Sequence, residues 1–106
     1  MHPLQGKWKI TAKAMGITMN LLADMIVADD EKTFGGSVLD EKTGNVYPIE
    51  NGVLEGNTIK YGISIKFGLI PFKFDMEGKF YEDNTCDGSA KAGRMEGKYE
   101  GVKVIE

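Results

Sequence analysis

The chain is poor in most of the residues that carry chemistry. Its 106 residues include one cysteine, one histidine, one tryptophan, one arginine and only three prolines. A lone Cys86 excludes an intramolecular disulfide, and with it a disulfide-stapled secreted fold. A lone His2 near the start excludes a histidine-based triad and a multi-histidine metal centre. No apolar run approaches the ~20 residues of a membrane-spanning helix. The opening MHPLQGKWK lacks the apolar core of a signal peptide, so a cytoplasmic protein is expected. A net charge of −3, with the lysines scattered along the chain, gives no electrostatic case for nucleic acid or an anionic membrane as partner. No phosphate-cradling loop or dinucleotide fingerprint occurs. Asp83 to Gly88, DNTCDG, imitates the start of a calcium loop, but Thr85 at its third position and Arg94 at its twelfth reject it. No cofactor and no metal are expected.

Glycine, by contrast, is abundant, at 14 residues, and the apolar residues alternate. The most ordered stretch is Asn57 to Phe80. Ile59, Tyr61, Ile63, Ile65 and Phe67 share one face of its first arm, and Ile70, Phe72, Phe74 and Met76 one face of its second, with Gly68 between them. Period-2 alternation in two arms around a glycine reads as a long β-hairpin with one apolar face. Lys7 to Ala14 repeats the pattern, with Trp8, Ile10, Ala12 and Ala14 inward. Ile17 to Val27 does so with Ile17, Met19, Leu21, Ala23, Met25 and Val27. Its Met and Leu positions also fall near helical spacing, but Gly16, Ile17 and Thr18 start a helix poorly. Short strands follow around Phe34 to Leu39 and Asn45 to Ile49, the second weakened by Pro48. Val53-Leu54, caught between the turn signals Asn51-Gly52 and Gly56-Asn57, reads as a corner. Thr85 to Lys91 and Met95 to Val104 form the last pair, joined by Ala92-Gly93-Arg94.

These segments add up to a single all-β domain over residues 1–106, an antiparallel up-and-down meander of about seven or eight strands. An apolar sheet face with no helix to cover it is buried by curling the sheet on itself, which also removes its edges. A small closed barrel is therefore expected, with a two-sheet β-sandwich as the alternative.

The segment Leu4-Gln5-Gly6-Lys7-Trp8-Lys9 resembles the G-x-W signature that opens the first strand of calycins, with Gly6 and Trp8 at the matching positions. Calycins are the lipocalin and fatty-acid-binding protein group of ligand-holding β-barrels. The resemblance implies that Trp8 plugs the closed end, that a last-strand cation, here Lys103, packs over it, and that the interior takes a ligand. The chain is also similar, more loosely, to small bacterial β-barrel modules with repeated strand-glycine patterns. It is shorter than typical calycins and shows no helical lid.

Strand parity puts Trp8 and both chain ends at one end of such a barrel. The Met15-Gly16, Phe67-Gly68-Leu69 and Ala92-Gly93-Arg94 tips fall at the other, together with the Asp40 to Gly44 turn, and that end is apolar for a set of turns. Exposed apolar tips mark a contact surface, either a ligand mouth or a homodimer interface through Met15, Phe67 and Leu69. The candidate ligand-binding set is Met15, Ile17, Met19, Tyr61, Ile63, Phe67, Phe72, Phe74, Met76 and Tyr99, with Arg94 placed to take a carboxylate at the mouth. No catalytic residue is assigned. Three functions follow. The first is a binding module for a small hydrophobic or amphipathic molecule. The second is an interaction protein that docks through its tips. The third, with the least behind it, is a small-barrel isomerase or cyclase, because no pair of ionisable groups is set up. Whether the interior is hollow decides between the first two.

Overall fold

The structure is a computed structural model that describes residues 2–14, 16–67 and 69–105, the side chain of Phe67 excepted. Its strands are β1 (Gly6–Ala14), β2 (Ile17–Val27), β3 (Thr33–Asp40), β4 (Val46–Pro48), β5 (Glu50–Glu55), β6 (Thr58–Phe67), β7 (Ile70–Phe80), β8 (Thr85–Ala92) and β9 (Met95–Lys103). No helix occurs among the described residues. Every pairing is antiparallel, and β1 pairs with β2 on one side and β9 on the other, while β2 also pairs with β3. The chain of neighbours therefore returns on itself as an eight-stranded barrel, with β4 as an extra short strand beside β3. The barrel, not the sandwich, is the answer to the uncovered apolar face.

Alternation sets which residues enter the core. Of the positions expected to face inward on β1, β2 and β6, Trp8, Ile10, Leu21, Ala23, Met25, Ile59, Tyr61, Ile63 and Ile65 are buried, Ala12, Ala14, Met19 and Val27 are half-buried, and Ile17 is exposed at the tip. Ile17 to Val27 is a strand throughout, so its near-helical spacing of Met and Leu is incidental. Pro48, which has no N–H to give, sits on β4, whose only partner is β3. Phe72, on the apolar face of β7, is only partly covered, because it stands in the wall of the cavity described below.

One segment departs from expectation. Val53-Leu54 is no corner but part of β5, paired with Ile59 and Lys60. The Asn51-Gly52 turn signal is spent on a bulge, where the β5–β6 register slips between Glu50 and Val53. Asn51 takes the left-handed conformation there (φ 52°). Gly52 lies so close to the Phe34 carbonyl that no Cβ fits. The true turn is the second signal, around Gly56 (φ 60°).

The end of the barrel holding both chain termini is plugged. Trp8 is 1% exposed, and its indole Nε1–H donates to the Leu4 carbonyl at 2.9 Å. Lys103, directly opposite it on β9, carries its ammonium 5.9 Å from the Trp8 ring centroid and donates to the Pro3 carbonyl at 2.8 Å. This is the cation-over-tryptophan arrangement that the G-x-W resemblance implies. Gln5 Oε1 accepts from the Val27 N–H at 2.8 Å, tying the lead-in of β1 to the end of β2. His2 is not frayed: its ring meets Phe80 edge-on at 5.8 Å, and its Nδ1 accepts from the Leu4 N–H. Truncating Trp8 to alanine removes the centre of the plug and is expected to cost about 3–5 kcal/mol, as for a buried tryptophan. Urea unfolding of Trp8→Ala checks this; a loss below ~1 kcal/mol, the size of a surface change, would show that the plug is not built on it.

Candidate functional site

The interior is solid at the plugged end and hollow at the other, and the pairing register explains the division. One inward row crosses Ala14 on β1, Gly97 on β9 and Ala90 on β8 before reaching Met76 on β7. Three small residues in succession leave the upper interior underfilled. The next row toward the plug crosses Ala12, Tyr99, Gly88 and Gly78. There the Tyr99 ring lies flat across β8 and β7: a Cβ at Gly88 would come 2.7 Å from its Cε2, and one at Gly78 would collide with its hydroxyl. Glycine is required at both positions by this close approach. Tyr99 thus fills its row, beneath the open space above.

That space is a cavity of about 410 Å³. Its walls are almost wholly apolar, with Ala12, Ala14, Ile17, Met19 and Leu21 on one side and Ile63, Ile65, Phe72, Phe74 and Met76 on the other. Ala90, Met95 and Gly97 complete it, along with Lys13 and Lys98 from the outward-facing positions. It lies toward the end carrying the β1–β2, β6–β7 and β8–β9 tips, where Ile17 is 54% and Ile70 61% exposed. The partial exposure of Phe72 belongs here, as part of the cavity wall.

Of the residues singled out in the sequence, Ile17, Met19, Ile63, Phe72, Phe74 and Met76 come together around this cavity. Tyr61 and Tyr99 do not line it; they are buried beneath it, with ring centroids 6.5 Å apart. Arg94 is exposed on the β8–β9 turn at the same end and does not line it either. Met15 and the side chain of Phe67 lie outside the described residues. Ala12, Ala14, Leu21, Ile65, Ala90, Met95 and Gly97 complete the lining. Parity marks most of them as inward, but only the register shows that Ala14, Gly97 and Ala90 stand side by side.

The ionisable groups beneath the cavity are held neutral. Burial pushes the Tyr61 phenol well above its ordinary range, with the neighbouring Tyr99 adding to the effect. Burial likewise raises Tyr99, and Cys86 goes from an ordinary 9.0 up to about 12, through burial first and the Asp87 carboxylate second. A thiol so placed is no nucleophile at neutral pH. Among the described residues no group of three His, Cys, Asp or Glu side chains is set to hold a metal ion. The arrangement is an almost wholly apolar cavity above three buried groups that stay neutral at ordinary pH.

The Tyr99 hydroxyl is buried without a hydrogen-bond partner. An unsatisfied buried hydroxyl costs about 1–3 kcal/mol, so Tyr99→Phe is expected to leave the protein as stable or more stable in thermal unfolding. A clear destabilisation would mean that the hydroxyl is bonded in solution. The thiol and phenols also set an alkaline limit. Below their ordinary pKa values they are neutral in the folded and unfolded chain alike. Above them the unfolded chain releases protons that the folded chain keeps, so stability is full at neutral pH and falls as pH climbs past ~9. The urea midpoint should hold from pH 7 to 8.5 and drop progressively above; an unchanged midpoint at pH 11 would show these groups to be solvated.

No family model and no curated protein sequence matches the chain.

Proposed function

We propose that the protein is a calycin-like binding module that holds a small apolar or weakly anionic molecule in the upper half of its barrel. The observation that carries this reading is the hollow itself: about 410 Å³ of apolar-walled space, beside an end where Ile17 and Ile70 are exposed. That volume lies in the lower part of the ~300–1,000 Å³ range of small-molecule pockets, which suits a ligand of modest size. A protein interior is normally packed to crystal-like density, and the small residues Ala14, Gly97 and Ala90 depart from that here. Met19, Met76 and Met95 in the wall supply flexible side chains that adjust to an occupant. Because the walls offer almost no polar group, a carboxylate on the ligand stays at the mouth, on the side where Arg94 is exposed.

Environment-sensitive dyes and small amphipathic carboxylates should bind and displace one another. Ala90→Phe, which points a ring into the cavity, should abolish both while the far-ultraviolet spectrum stays that of an all-β protein. Arg94→Gln should weaken carboxylate probes by roughly 1.5–3 kcal/mol more than neutral ones, the value of a hydrogen bond to a charged group. Equal weakening would remove Arg94 from the site. If the native protein binds none of these probes in equilibrium titrations, the binding-module reading fails.

A further inference from the structure

The net charge of −3 conceals a separation that only the fold reveals. Along the chain the lysines are scattered, but the strand order gathers an exposed basic collar around the cavity mouth. It consists of Lys13 at the end of β1, Lys66 and Lys73 flanking the β6–β7 tip, Lys91 and Arg94 at the β8–β9 turn, and Lys98 on β9. Asp75 and Glu96, both opposite Lys91, lie among them, and the β3–β4 turn at the same end adds Asp40 and Glu41 with Lys42. Glu77, Asp87 and Glu100 border the depression beside Lys13 and Lys98, so the bases are in excess at this end but not alone. At the plugged end the turns are acidic, with Asp29, Asp30 and Glu31 in one and Glu82 and Asp83 in another, set against Lys7, Lys9, Lys32 and Lys79. Within the collar, Lys13 and Lys98 stand directly opposite one another across β1 and β9. Like charges in facing positions destabilise a sheet, so this pair costs folding stability wherever the carboxylates bordering the same depression, Glu77, Asp87 and Glu100, or an external anion do not offset it.

Inside the collar the tips are apolar and bare. Leu69 is 98% exposed, Ile70 61% and Ile17 54%. Of the other exposed apolar side chains, Ile26, Val53 and Val102 lie toward the plugged end, while Val46 follows the β3–β4 turn. Apolar side chains at the apex of a cationic ring match the two layers of an anionic bilayer surface, acyl boundary inside and charged headgroups outside. A membrane-spanning role does not fit, because the outward faces of the strands carry charge where lipid would lie, as with Lys7, Lys9 and Lys13 on β1 and Lys60 and Lys66 on β6.

We propose that the cavity mouth docks onto an anionic lipid surface, with Leu69, Ile70 and Ile17 entering the interface and the collar on the headgroups. This stands on surface charge and exposure, and it holds or fails independently of what the cavity binds.

Flotation with lipid vesicles tests it, with no ligand added. The protein should float at low salt with vesicles containing phosphatidylserine and remain behind with vesicles of phosphatidylcholine alone. Raising the salt should release it. Each basic residue near an anionic surface is worth about fivefold in partitioning, so Lys13→Gln with Lys98→Gln should weaken flotation on the order of tenfold or more. Leu69→Ser, at a fully exposed position, should weaken it without changing the unfolding midpoint. Lys7→Gln with Lys9→Gln, at the plugged end, should leave it unchanged, as should Ala90→Phe. Absence of flotation at low salt overturns the proposal. So does an equal loss from the plugged-end pair, which would mean unoriented charge attraction. A dimer in sedimentation that Leu69→Ser dissolves would assign the tips to a second copy of the chain, and overturns it as well.

Discussion

A sheet with one apolar face and no helix to lay on it must bury that face against itself. Everything in this fold follows from that constraint. The seam between β1 and β9 completes the ring, and it joins the first strand to the last. Closure gives each strand of the ring a partner on both sides, and β4, the one strand outside it among the described residues, is three residues long and carries a proline. The chain spends little else on stability: no disulfide and, among the described residues, no helix and no metal cluster.

Closure alone produces a solid or a hollow barrel with equal ease, and the difference lies in a handful of side chains. Tyr99 needs two bare glycines, Gly88 and Gly78, to lie down across the neighbouring strands. Once down, it seals the core below and leaves the Ala14–Gly97–Ala90 row above with nothing to fill it. The same aromatic ring therefore completes the packing of one half, beneath the empty space of the other. Its unpartnered hydroxyl is the polar penalty of that position.

The strands could be read from the chain because a period of two needs only local sequence. Trp8 could be read because tryptophan is rarely placed without purpose and its flanking glycine matches a known opening. Three things were not legible. The bulge at Asn51-Gly52 uses the same residues as a tight turn, and only the pairing of β5 with β6 tells them apart. The hollow arises from residues on β1, β9 and β8 that are far apart in sequence, so its walls appear only once the register is known. The basic collar is likewise a product of topology, since alternate strands carry their lysines to the same end. Single residues such as Arg94 were easy to notice for their rarity, whereas the cavity is lined by the commonest small and apolar types.

The plug has a practical consequence for geometry. His2 packs against Phe80, and Lys103 reaches Pro3 across 100 positions of sequence, so both ends of the chain leave the barrel side by side on the face opposite the mouth. A bead, a fluorophore or a neighbouring domain joined to either end hangs behind the barrel like a handle and leaves the mouth unobstructed. Immobilisation through a terminus accordingly presents every copy with the cavity facing solution.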